Sequence, residues 1–166
     1  TGGGGSRATN GYGGAGGSGV VIVRYTTPLS NCALTSTTAA NGETVLTFST
    51  VGSCNWTVPT GVSFVRVLVV GGGSSGGAGL AGVWWPQGGG GGAVVSNSSF
   101  TTTPGQSIPV TVGGGGSAFL VQSSSSTSVN NGGESSFSTL SAPGGIAPVT
   151  HGAAGGRSGN GNTGGG

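Results

Sequence analysis

Few side chains in this 166-residue sequence are equipped for chemistry. The acids are Glu43 and Glu134, the only histidine is His151, and the cysteines are Cys32 and Cys54; lysine, aspartate and methionine are absent. Paired carboxylates can run acid–base hydrolysis, and a serine activated by a histidine and an acid can carry acyl transfer. Only Glu43 with Glu134, or His151 with Glu134 and one of many serines, could supply those sets. No G-x-S-x-G stands in a strand–turn–helix setting, which the nucleophile elbow requires. "GGGSSG" at residues 71–76 has dinucleotide-loop spacing and follows a strand pattern. That site also needs a helix to open there and an acid about 20 residues later, and neither is present. A phosphate-binding P-loop needs a lysine. The expectation is no enzyme, no catalytic residue and no cofactor.

The soft ligands are equally sparse. Cys32, Cys54 and His151 follow no C-x-x-C or H-x-x-H spacing, so no metal site is expected. Two cysteines in a Ser/Thr-rich chain without lysine suit an oxidising compartment. A Cys32–Cys54 disulfide would close a loop of about 23 residues, worth roughly 3 kcal/mol in the chain-entropy treatment. Two buried thiols are the alternative. Trp84 and Trp85 interrupt a glycine tract in "GVWWPQGG". Paired indoles there either cap the module's own core or form a surface contact for a sugar ring or a protein.

The elements that would hold these residues are extended ones. Glycine supplies 42 residues, and charged residues 4% of the chain. The four arginines, at 7, 24, 66 and 157, are scattered, which is not the clustered footprint of a nucleic-acid binder. No apolar run approaches the ~20 residues of a membrane-spanning helix. In "GYGGAGGSG", residues 11–19, glycines recur three apart in two registers. Three residues per turn without internal hydrogen bonds describes a polyproline-II-type helix. With two of its three faces bare, such a helix can pack laterally and bond its neighbours through the backbone. The tracts at residues 71–82 and 155–166 are expected to do the same, against the alternative of a flexible linker.

β-Branched and alternating runs bracket these tracts, at residues 19–26, 43–51, 62–70, 92–101, 106–112, 118–122 and 134–140. Residues 62–70 are nearly continuous in apolar side chains, the pattern of a strand buried on both faces. Turn signals stand at residues 57–61, 103–106, 130–133 and 142–145. No amphipathic helix is evident. The fold expected is all-β, a sandwich-like module with polyglycine segments as connections or a second layer.

In order, "WTVPTGVSFVRVLVVGGGSSGGAG" (residues 56–79), "TPGQSIPVTVGGGG" (103–116) and "NGGESSFSTLSAPGG" (131–145) resemble the opening and middle of glycine-rich modules of bacterial surface proteins and phage tail-fibre proteins. "GGSGVVIVRY" (16–25) resembles the module's final strand, here at the front. The resemblance implies structural or adhesive work outside the cell and no catalytic residues. It divides the chain into a module end (1–25), a cysteine-bounded connector (26–54) and a module start and middle (55–166), as though cut within a module.

The function expected is that of an extracellular or virion structural repeat, or a subunit of a filament, stalk or surface fibre. Its partners would be copies of itself, with a cell-surface glycan or protein if the chain is instead a receptor-binding or adhesin module. The strand of Val20, Val21, Ile22, Val23, Arg24 and Tyr25 would be an exposed edge if left unpaired. It is expected to complete the sheet of a neighbouring unit by strand addition, with pairing to residues 62–70 of its own chain as the alternative.

Overall fold

The computed structural model describes residues 2–6, 8–9, 13–25, 33, 35–38, 41–79, 87–118 and 130–148, and all that follows concerns these. The strands are β1 (Ala8–Thr9), β2 (Val20–Tyr25), β3 (Thr35–Thr38), β4 (Thr44–Phe48), β5 (Gly52–Thr57), β6 (Phe64–Val70), β7 (Ala78–Gly79), β8 (Val94–Thr101), β9 (Ser107–Val112), β10 (Ser135–Phe137) and β11 (Leu140–Ala142). There is no helix among the described residues. Two antiparallel sheets, ordered β3-β4-β2-β6-β8 and β11-β10-β9-β5, form a sandwich, and β1 pairs with β7 in parallel.

Alternation puts every second side chain between the sheets. Val21, Val23, Leu46, Phe48, Val65, Val67, Val69 and Val95 come from one sheet, and Trp56, Ile108, Val110, Val112, Phe137 and Ala142 from the other; all are buried. Phe137 anchors an aromatic cluster, 5.3 Å edge-on from Phe100 and 5.9 Å from Trp56. β6 is covered on one face only: Phe64 is 62% exposed, and Arg66 is also exposed. The two-faced burial expected of residues 62–70 is therefore corrected, because a two-layer sandwich covers one face of each sheet. Edge strand β8 carries a bulge opposite Val65–Val67, where the Asn97 side chain accepts a hydrogen bond from the Ser99 N–H. A bulge of this kind blunts an edge against further pairing.

Beyond the sandwich the chain continues as glycine-rich segments, named here in chain order: pg1 (residues 2–6), pg2 (13–19), pg3 (71–77), pg4 (87–93), pg5 (113–117), pg6 (130–134) and pg7 (143–148). Their hydrogen bonds fix how they pack. The pg3 N–H groups of Gly71, Ser74 and Gly77 donate to pg4, those of Gly72 and Ser75 to pg6, and those of Gly73 and Gly76 to pg2. The pg3 carbonyls of Ser74, Gly73 and Gly72 accept from Gly5 of pg1, Gly116 of pg5 and Gly145 of pg7. Neighbours are met every third residue, as three residues per turn demands. The six outer segments close a ring around pg3 in the order pg1, pg2, pg5, pg6, pg7, pg4, through bonds such as Gly17 N–H to Gly3 O (2.8 Å), Gly16 to Gly116 (2.7 Å), Gly133 to Gly114 (2.8 Å), Gly132 to Gly145 (2.9 Å), Ala93 to Pro143 (2.9 Å) and Gly92 to Gly2 (2.7 Å). Adjacent ring members run antiparallel, so pg3 donates to its antiparallel neighbours and accepts from its parallel ones, alternately around the ring.

Glycine is obligatory at this spacing. A Cβ on Gly73 would stand 1.7 Å from the Gly3 oxygen, and one on Gly72 2.1 Å from the Gly114 oxygen. The described parts of the tracts at residues 11–19 and 71–82 are thus laterally packed, as the three-residue period predicts; residues 155–166 lie outside the described residues. Residues 130–133 and 142–145, read above as turns, instead contribute to pg6 and to the junction of β11 with pg7. A local glycine run reads the same either way, and distant partners decide. The run at 134–140 is two strands, β10 and β11, split by a turn where Ser138 takes φ 53°.

Candidate functional site

The strand Val20–Tyr25, assigned above to a neighbouring unit, is β2, and it lies inside the five-stranded sheet of its own chain. It pairs with β4 on one side (Val21 opposite Phe48) and β6 on the other (Val21 opposite Val69). Val21 and Val23 are fully buried in the core, and Ile22 is half-buried on the outer face. Both edges are paired within the chain, the alternative named above, so the assembly role given to Val20, Val21, Ile22, Val23 and Tyr25 is corrected to that of a central strand of its own sheet. The module's two ends meet within one chain, which removes the unpaired edge that strand addition needs.

The two glutamates do not converge. Glu43 precedes β4 and pairs with Arg66 on the outer face of the sheet. Arg24 lies directly opposite Arg66 in register. Glu134 is exposed at the junction of pg6 and β10. The two glutamates therefore stand near opposite ends of the sandwich, separated by roughly the 17–20 Å length of a six-residue strand. His151 and Cys32 lie outside the described residues. No cluster of three metal-capable side chains occurs among the described residues, and no helix of theirs is long and apolar enough to cross a membrane. Cys54 is half-buried on β5, packed against the core. It lines a small recess with Phe48, Val51, Val112 and Ala33, the residue that follows Cys32 in sequence.

What the fold does bring together is one end of the glycine bundle. Segments pg1, pg3, pg5 and pg7 run away from the sandwich, and pg2, pg4 and pg6 return to it. The chain therefore leaves and re-enters the bundle at its far end, at Ser6 and Gly13, Gly79 and Gln87, and Ala118 and Asn130, while pg7 reaches Pro148. Local bonds fasten that end. The Gly14 N–H donates to Ser6 O (3.0 Å), Gly77 and Gln87 exchange backbone bonds (2.8 and 3.4 Å), and the Asn130 side-chain amide donates to Ser117 O (2.8 Å). Two central serines replace glycine there. The Ser75 hydroxyl accepts from the Asn130 N–H (3.1 Å) and the Ser74 hydroxyl from the Gly90 N–H (2.8 Å), so both buried hydroxyls are partnered.

Trp84 and Trp85 belong to the pg3–pg4 connection and lie outside the described residues, as do residues 119–129 between pg5 and pg6. The sequence signal for this site was available in part. Each glycine-poor excursion, at residues 7–12, 80–86 and 119–129, lies between glycine-rich tracts. That the excursions share one end became legible only from the pairing of the tracts.

A family described as a glycine-rich domain matches residues 48–166. No curated protein matches the chain, and no solved structure does.

Proposed function

Since the chain belongs to the glycine-rich domain family, we propose that it is an extracellular recognition module of a bacterial surface protein or phage tail fibre, in which the glycine bundle is a rigid mount for contact loops. One observation carries this reading: three excursions of the chain begin and end at the far end of a hydrogen-bonded bundle whose other end is rooted in a sandwich core. Loops held by a rigid scaffold lose less freedom on binding, and binding residues concentrate on such loops. In sequence Trp84 and Trp85 stand between pg3 and pg4, and paired indoles suit a sugar ring or an apolar protein patch. The test replaces residues 80–86, and separately 119–129, by Gly-Ser linkers of equal length, and probes each protein on an array of bacterial surface polysaccharides and purified outer-surface proteins. The expected result is an unchanged melting temperature with loss of the binding that the parent shows. Full binding by both variants would refute the reading.

A structural-subunit role is the second reading, supported by the near absence of charge, which lets modules pack densely. Under it, purified chain forms ordered assemblies visible by electron microscopy without any receptor.

A further inference from the structure

The hydrogen-bonded lattice around pg3 is closed, but its rim is not uniform. Most outer segments present side chains to solvent: Ala15 and Ser18 on pg2, Ser117 on pg5, Asn131 and Glu134 on pg6, and Ile146, 45% exposed, on pg7. Side chains there keep another backbone from approaching to hydrogen-bonding distance. The adjacent pair pg1 and pg4 differs along its length: the side chains of exposed Ser6 and half-buried Gln87 stand only at the far end. Gly3, Gly4 and Gly88 are exposed, and Gly91 is half-buried. The N–H groups of Gly3, Gly4, Gly88 and Gly91 donate to no backbone or side-chain acceptor. This is an open lattice edge, the counterpart of an unpaired sheet edge.

Gly88 supplies an independent observation. Glycines such as Gly4 of pg1 and Gly76 of pg3 are required internally: a Cβ on Gly4 would stand 2.1 Å from the Gly89 oxygen, and one on Gly76 2.2 Å from the Ser6 oxygen. The turn glycines at 42, 52, 61 and 105 are required by positive φ. Gly88 answers to neither reason, since its Cβ would meet nothing within 4 Å and its φ is not positive. The chain's own fold leaves space for a side chain at this position.

We propose that the pg1–pg4 edge is a docking surface for a second copy of this chain, joined edge to edge by backbone hydrogen bonds. The edge is self-complementary. It pairs one segment running away from the sandwich with one returning, so a two-fold axis parallel to the bundle sets pg1 of each copy antiparallel to pg4 of the other. That is the relation already used by pg1 and pg4 within the chain. The edge carries no charged side chain among its described residues, so two copies meet without repulsion. In this arrangement both loop-bearing ends point the same way. Five residues at ~3.1 Å each give an edge about 15 Å long, far smaller than the ~800 Å² per partner of a standard interface. One such contact is therefore weak and acts where copies are held at high local concentration.

The experiment follows the glycine amides of the isotopically labelled full-length chain by NMR, from roughly 20 μM to roughly 1 mM, with sedimentation for mass. The Gly3, Gly4, Gly88 and Gly91 amides should shift with concentration along one common curve as the mean mass rises towards a dimer. Gly88→Gln should weaken association at least tenfold with an unchanged melting temperature, whereas Ala15→Gln, on another rim segment, should leave association unaltered. The proposal is overturned if those amides do not respond to concentration, if they are protected at every concentration by a segment of the same chain, or if Gly88→Gln associates like the parent.

Discussion

Replacing Gly73 by alanine separates a packed glycine bundle from a flexible tract, because the two give effects of opposite sign. The added methyl would lie 1.7 Å from the Gly3 oxygen and 2.1 Å from the Gly3 carbonyl carbon, where ordinary contact begins at 3.4 Å. Both obstacles are backbone, so no rotamer change relieves them, and pg1 must retreat from pg3 by about 1.5 Å. That retreat breaks the Gly5 N–H to Ser74 O bond and strains the bonds of Gly17 to Gly3 and Gly92 to Gly2. Two to three buried backbone bonds at about 1–2 kcal/mol each give roughly 2–6 kcal/mol. Against this stands about 0.4–1 kcal/mol of stabilisation from the restricted unfolded chain, so the net loss is about 1–5.5 kcal/mol. For a domain of this size that lowers the melting temperature by roughly 2–20 °C. Scanning calorimetry of the parent, Gly73→Ala and Gly88→Ala measures it; Gly88→Ala is the control, with open space at its Cβ, and should stay within about 0.5 kcal/mol of the parent. If Gly73→Ala melts with the control or above it, pg1 and pg3 are not held in register, and the lattice reasoning fails.

Deleting residues 1–25 removes pg1, pg2 and β2 together, so the remainder should lose its cooperative calorimetric transition, and a synthetic 1–25 peptide added in trans should restore it; a truncated chain that melts like the parent would contradict the central place of β2. Non-reducing peptide mapping should recover Cys32 linked to Cys54, since the residue after Cys32 lines the same recess as Cys54, and Cys54→Ser should cost about 3 kcal/mol; two alkylatable thiols in native protein would exclude the bond. Between low and high salt the melting temperature should move by no more than about 2 °C, because charged residues are 4% of the chain and an ion pair such as Arg66–Glu43, with Arg66 half exposed, contributes about 0–1 kcal/mol; a larger drop would mean that charge matters more than the packing suggests.

The sequence carried the rim of the bundle more clearly than its centre. In residues 11–19 the third register is Tyr12, Ala15 and Ser18, and Ala15 and Ser18 do face solvent while the glycine registers face neighbours. A rim segment can keep one side-chain register because part of its circumference is free. The centre cannot, and residues 71–76 are buried throughout, which is why the tract there holds only glycine and serine and shows no three-residue period. Two serines stand in that run, and each hydroxyl takes over a bond from a neighbouring segment's N–H. β3 (Thr35–Thr38) and β5 (Gly52–Thr57) were not legible. Both are edge strands with polar outer residues, and apart from Trp56 little apolar alternation marks β5. Their register came from β4 and β9, which lie elsewhere in the chain.

Sheet order explains why seven segments find one lattice. In the five-stranded sheet β2, β6 and β8 are neighbours, and they are continuous with pg2, pg3 and pg4. In the other sheet β9, β10 and β11 are neighbours, and they are continuous with pg5, pg6 and pg7. Two rows of three therefore enter the bundle already aligned in direction and order. Within the sandwich, side chains hold such layers about 10 Å apart. Beyond Val70 and Val112 the side chains stop, and the layers close until Gly72 donates directly to Gly133 across the former gap (2.9 Å). Two rows leave pg3 with five neighbours and one open side. The sixth place, between pg2 and pg4, is taken by pg1, which is bonded to both and to pg3. The glycine tract that opens this chain is therefore the piece that completes the ring. The lattice edge left exposed beside it is a direct result of filling that place with residues that carry almost no side chains.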